Sequence, residues 1–69
     1  MNKLVLRIPA MVNQASAADV ETVLGNTPAV DDFEVDHLHH RVTLWTGDPY
    51  GESIIRNALT DAGYPAEED

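Results

Sequence analysis

The strongest constraint in this chain is a pair of alternating runs, "AVDDFEVD" (29–36) and "RVTLWT" (41–46), separated by four residues, "HLHH". Successive side chains of a strand leave opposite faces, so period-two alternation marks a ribbon buried on one side. A four-residue connection between two such runs fits an antiparallel hairpin. Setting Asp36 opposite Arg41 places Val35 opposite Val42, Glu34 opposite Thr43 and Phe33 opposite Leu44. Every pair then agrees in polarity and face, which is what fixes a register when one side of a sheet is buried.

The remaining segments must cover that apolar face. "KLVLRI" (3–8) alternates, with Leu4, Leu6 and Ile8 on one side and Lys3, Val5 and Arg7 on the other, and Pro9 ends it for want of a ladder donor. "SAADVETVLGN" (16–26) changes to helical spacing, with Ala17, Val20, Val23 and Leu24 on one stripe. Ser16 with Asp19 reads as its N-terminal cap and Gly25 as a left-handed stop. "DPYGESIIRNALTDAG" (48–63) reads as a second helix, capped by Asp48, with Pro49 at its first position and Gly63 as its stop. Its inward stripe is expected to be Ile54, Ile55, Ala58, Leu59 and Ala62. "YPAEED" leaves room for a short edge strand.

The order strand, helix, strand, strand, helix, strand predicts an α+β protein, a ferredoxin-like βαββαβ sandwich. Its four-stranded antiparallel sheet carries both helices on one face, in a single domain over residues 1–69. No linker or low-complexity tract interrupts it. Following chain direction through this topology brings "PAMVNQAS", "HLHH" and "AGYP" to one end, which is where a site is expected. The open face of the sheet should carry Lys3, Val5, Arg7, Glu34, Asp36, Arg41, Thr43 and Trp45. Arg7, Arg41 and Trp45 make it a candidate partner face, through a cation–π pair among other contacts, while cross-strand charge pairing explains the same residues.

Chemistry is narrowed by composition. With no cysteine there is no disulfide, thiolate ligand or thiol nucleophile. Four basic against twelve acidic residues give a net charge of −8, which repels phosphate backbones and anionic membrane. Cations and basic protein surfaces are the partners such a charge favours, and it also keeps a protein in solution. No apolar run approaches the roughly 18 residues that span a bilayer, and Arg7 and Pro9 break the N-terminal stretch, so a cytoplasmic protein is expected.

Three histidines, His37, His39 and His40, lie in the hairpin loop beside Asp36. Neutral imidazole binds Zn, Ni and Cu(II), so these residues are a candidate divalent-metal site. The same register turns His37 and His40 inward, as histidines at the edge of a core, and leaves His39 at the tip. Catalysis is not expected, because Ser16 has no evident base and the first loop has no basic residue to hold a phosphate.

Taken together, "LVLRIPAM" (4–11), "VETVL" (20–24), "PAVDDFEVD" (28–36), "RVTLW" (41–45) and "DAGYPAE" (61–67) resemble, in order and spacing, the heavy-metal-associated domain family of small copper chaperones and metal-transporting P-type ATPase modules. The resemblance covers nearly the whole chain. It implies metal binding and transport as the family role, and a metal-transporting ATPase or another protein domain as partner, met as a monomer or weak dimer. It also implies a G-M-x-C-x-x-C loop. Here Ala10 replaces the glycine, Met11 is kept, and Asn13 and Ser16 stand where the two metal-binding cysteines belong. Amide and hydroxyl oxygens are hard, weak donors toward soft ions, so any binding is expected to be weak or to pass through the histidines. The family's methionine packs under the loop, and Tyr64 matches the aromatic that supports the loop from behind. A metal-free interaction or regulatory module on the same fold is the alternative.

Overall fold

The computed structural model describes residues 2–68. Its elements are β1 (Asn2–Arg7), α1 (Gln14–Gly25), β2 (Asp32–Asp36), β3 (Arg41–Thr46), α2 (Gly51–Asp61) and β4 (Glu67–Glu68), with a 3-10 turn over His37–His39. The sheet is antiparallel in the order β2-β3-β1-β4, the arrangement expected for the ferredoxin-like sandwich. The hairpin register is the expected one, pair for pair, from Phe33 opposite Leu44 to Asp36 opposite Arg41. One face of the sheet contributes Leu6, Val42 and Leu44 to the core, Ile8 and Met11 follow from the loop after β1, and the helices add Ala17, Val20, Leu24, Ile55 and Leu59.

Element ends differ from the sequence reading, each for a local reason. Asn13, not Ser16, caps α1, so the helix begins two residues before Ser16. Gly25 does not form a left-handed stop. The helix tightens instead: Asn26 holds φ −95°, the Thr27 amide donates to the Leu24 carbonyl at 3.2 Å, and the Thr27 hydroxyl donates to Val23 at 2.7 Å. These bonds satisfy the terminal carbonyls without positive φ. Residues 27–30 are then used in a turn, the Val30 amide donating to Thr27, so β2 starts at Asp32 rather than at position 29.

At α2, Asp48 and Pro49 stay outside the helix. The Asp48 carboxylate accepts from the Tyr50 amide at 2.8 Å and its carbonyl accepts from the Gly51 amide at 3.0 Å, a turn that delivers the chain to Gly51. At the other end the expectation holds. Gly63 has φ +89°, its amide donates to Thr60 and the Tyr64 amide to Leu59, the paired bonds of a Schellman motif.

The buried line of α2 is Gly51, Ile55 and Leu59, not the wider stripe expected. Ala58 is half-buried, Ala62 is exposed, and Ile54 is 41% exposed. The cause is the close seating of Gly51 on Thr46. A Cβ added at Gly51 would contact Thr46 Oγ1 and lie 2.8 Å from its Cγ2 and 3.0 Å from its Cβ. Thr46 is buried on β3 and its hydroxyl accepts from the Asp48 amide, so it has nowhere to retreat. Gly51→Ala should therefore lower stability by about 1–3 kcal/mol despite alanine's better helix propensity, seen as a lower urea midpoint at unchanged m-value.

Candidate functional site

The loop after β1 is anchored from both ends. Met11 is fully buried in the core, and its amide donates to the Ile8 carbonyl at 3.0 Å. Beyond it, Asn13 and Ser16 close on each other. Asn13 Oδ1 accepts from the Ser16 amide at 2.8 Å, and Ser16 Oγ accepts from the Val12 and Asn13 amides at 3.0 Å each. The Ser16 hydroxyl in turn lies 3.0 Å from the Asn13 carbonyl and from Asn13 Oδ1. This is a capping box, the reciprocal bonding of residues N-cap and N3 that satisfies free amides of a helix start. The sequence template matched "SAAD" because acidic residues are the usual partner in such a box. Asparagine first and serine third, "NQAS", is the less obvious form of the same pattern.

The hairpin meets this loop directly. His40 adopts the left-handed conformation at φ 55°, unusual for a residue with a Cβ. Its carbonyl accepts from the Ile8 amide at 2.7 Å and its Nδ1 donates to the Met11 carbonyl at 2.9 Å. A carbonyl only accepts, so the His40 proton sits on Nδ1, and Nε2 carries the lone pair in the neutral ring. His39 Nδ1 bonds Asp36 Oδ2 at 2.7 Å, while Asp36 Oδ1 caps the 3-10 turn by accepting from the His39 amide at 3.3 Å. The half-buried His37 makes no side-chain hydrogen bond among the described residues. Among those residues no group of three or more histidine or carboxylate side chains is gathered as a metal would need. Val12 and Leu38 stand out from this pole, 61% and 76% exposed.

The His39 hydrogen bond holds the Asp36 carboxyl below its ordinary pKa, against a smaller opposing effect of desolvation. A depressed folded-state pKa means that the pair stabilises the fold above the ordinary carboxylate range near 4, and that this is lost as pH falls through the lower folded value. In a carboxyl-carbon NMR titration Asp36 should therefore protonate below an unperturbed aspartate, and His39→Ala should move its midpoint back up.

Tyr64 donates its hydroxyl to Asp19 Oδ2 at 2.8 Å, tying the turn after α2 to α1. That bond raises the phenol's pKa, so its contribution is present below about pH 10 and lost only as pH rises through the folded value. Asp19 was missed as Tyr64's partner because the two are 45 residues apart and nothing local links them. On the open face, Arg7 sits opposite Arg41 and also opposite Glu67, with Asp36 beyond Arg41. Trp45 lies four residues farther along β3, about 13 Å from Arg41 along the strand, opposite Lys3 and Asp32. By register it is Lys3, not an arginine, that neighbours the tryptophan.

Comparison with solved structures gives the class of this scaffold. The chain matches a copper binding domain from HMA7, a P-type ATPase, with a TM-score of 0.87 and 30% identity over 100% of this chain and 95% of that one. It matches the copper chaperone Atx1 from Synechocystis PCC6803 with a TM-score of 0.78 and 30% identity, over 93% and 98%. Oxidized MerP from Ralstonia metallidurans CH34 shares the fold, with a TM-score of 0.87 at 20% identity over 99% and 96%. No family model and no curated protein matches the chain. The chain belongs to the heavy-metal-associated domain family. Its donor set does not fit the soft ion of a thiolate site, because Asn13 and Ser16 offer hard oxygens already bonded to amides of the helix start.

Proposed function

We propose that this chain is a cytoplasmic, non-enzymatic docking module of metal transport. It meets a metal-transporting ATPase or another protein domain through its loop pole, without carrying a soft ion there. The observation that carries this reading is the capping box: the two positions that would hold the metal hold the start of α1 instead. Exposed Val12 beside Asn13, and Leu38 in the hairpin turn, offer apolar contact to a partner. The family setting supports metal transport as the context, since the matching structures include a copper chaperone and an ATPase copper binding domain. A catalytic role finds no support, as the Ser16 hydroxyl is engaged with Asn13 at the helix start. No helix among the described residues is long and apolar enough to cross a membrane.

A second reading, weak binding of a divalent Zn, Ni or Cu ion by His37, His39 and His40, has one observation in its favour. His39 and His40 each bond through Nδ1, to a carboxylate and a carbonyl, the outer-shell pattern that orients metal-binding imidazoles, and neither Nε2 makes a hydrogen bond among the described residues. Titration of the protein with Zn²⁺, Ni²⁺, Cu²⁺ and Cu⁺, followed on histidine ring and loop amide resonances, separates the readings. The docking module gives only diffuse, millimolar shifts. Saturable micromolar shifts confined to residues 37–40 favour the histidine site, and tight Cu⁺ uptake at residues 11–16 overturns both.

A further inference from the structure

The pole opposite the metal loop carries a groove of about 460 Å³ between the turn before β2 and the turn before α2. This volume lies in the range of ligand-binding clefts. Pro28, Pro49 and Ile54 give it apolar walls, and Asp31 and Asp48 supply two carboxylates. Ile54 is the residue that helical periodicity would place in the core, yet it is 41% exposed here, and Tyr50, the residue just before α2, is 74% exposed. The core has no use for this strip.

The two carboxylates are fixed rather than loose. Asp31 accepts from the Gly47 amide through Oδ2 at 2.8 Å, and its own amide donates to the Trp45 carbonyl at 2.8 Å. Asp48 accepts from the Tyr50 amide through Oδ1 at 2.8 Å. The second oxygen of each makes no hydrogen bond among the described residues. The chain's own arginines lie elsewhere. Arg56 pairs with Glu52 at 3.1 Å, and Arg7 and Arg41 face each other at the far end of the sheet. An apolar groove with two positioned anionic oxygens, on a chain of net charge −8, is complementary to a cation carried on an apolar body.

We infer that this groove is a second docking site, and that its occupant is a segment of a partner protein presenting an arginine or lysine next to an apolar side chain. The apolar neighbour lies against Ile54 and the two prolines, and the cation lies between Asp31 and Asp48. This surface is distinct from the loop pole and does not depend on what that pole binds. With both poles occupied, the module bridges two partners.

The test is an amide NMR titration with the blocked tripeptide acetyl-Leu-Arg-Leu-amide and its glutamine counterpart. The arginine peptide should give saturable shifts confined to residues 28–31 and 47–54, and the glutamine peptide should not. Asp31→Asn with Asp48→Asn keeps an acceptor oxygen for each turn and should weaken binding about tenfold. Ile54→Ser, at an exposed position, should weaken it with the charge intact. Glu67→Gln with Glu68→Gln makes the same change in net charge at the other pole and should leave binding unaltered. Equal response to both peptides, or equal loss in the Glu67/Glu68 control, overturns the inference. So do the same shifts with calcium chloride alone, which would make the groove a cation site, or concentration-dependent shifts without peptide, which would place a second copy there.

Discussion

Asn13→Cys combined with Ser16→Cys should give the loop after β1 a site that binds a single Cu(I) per chain, in competition with a chromogenic chelator. The two positions already face each other across one helical turn, with Asn13 Oδ1 2.8 Å from the Ser16 amide and 3.0 Å from its hydroxyl. Thiols placed there sit at the start of α1, where the helix dipole lowers thiol pKa and favours the metal-binding thiolate. Soft sulfur in place of hard oxygen is the change in donor type that Cu(I) requires. Either single substitution should fail to give a saturable site. The double variant should also lose about 1 kcal/mol of stability without metal, because the Asn13 cap and the Ser16 acceptor disappear together. Restored uptake would show that only the ligands of the family loop have changed. No uptake from a folded double variant would show that the loop geometry has changed with them.

Met11→Ala should cost about 2–5 kcal/mol, and Met11→Leu less than about 1.5. The side chain is fully buried in the core, so truncation leaves a cavity beneath the loop, whereas leucine refills it. A domain of this length has a total stability of about 3–10 kcal/mol, so the alanine variant stands near the edge of folding. The backbone bonds from Met11 to Ile8 and to His40 survive either change and leave packing as the variable. Urea unfolding of the two variants checks the ranking. If leucine proves as damaging as alanine, the thioether itself has a role that packing does not supply.

What could be read in advance follows from the range of the interactions involved. The hairpin was legible because "DFEVD" and "RVTLW" alternate and only one register matches them. The Gly63 stop was legible because its bonds reach no farther than Leu59 and Thr60. The start of α1 was not, because "NQAS" and "SAAD" compete for one role and only the buried position of Ser16 decides between them. Ile54 was misplaced because its exposure is set by the contact of Gly51 with Thr46, which no helical periodicity contains. At the candidate site, the sequence brought the loop after β1 and the hairpin to one end of the fold, where they meet. It could not show that His40 reaches back to Met11, or that His39 turns to Asp36, since both depend on backbone conformation in a turn.

One further consequence follows from β2 lying at the margin of the sheet. Its backbone presents an open row of donors and acceptors, the usual template for fibril growth, yet Asp32, Glu34 and Asp36 alternate along it, all exposed. If two copies met margin to margin in antiparallel fashion, Glu34 would fall opposite Glu34 and Asp32 opposite Asp36, and like charges in facing positions push strands apart. In that pairing the margin repels its own kind, a colloidal selectivity built from three carboxylates and no core residue.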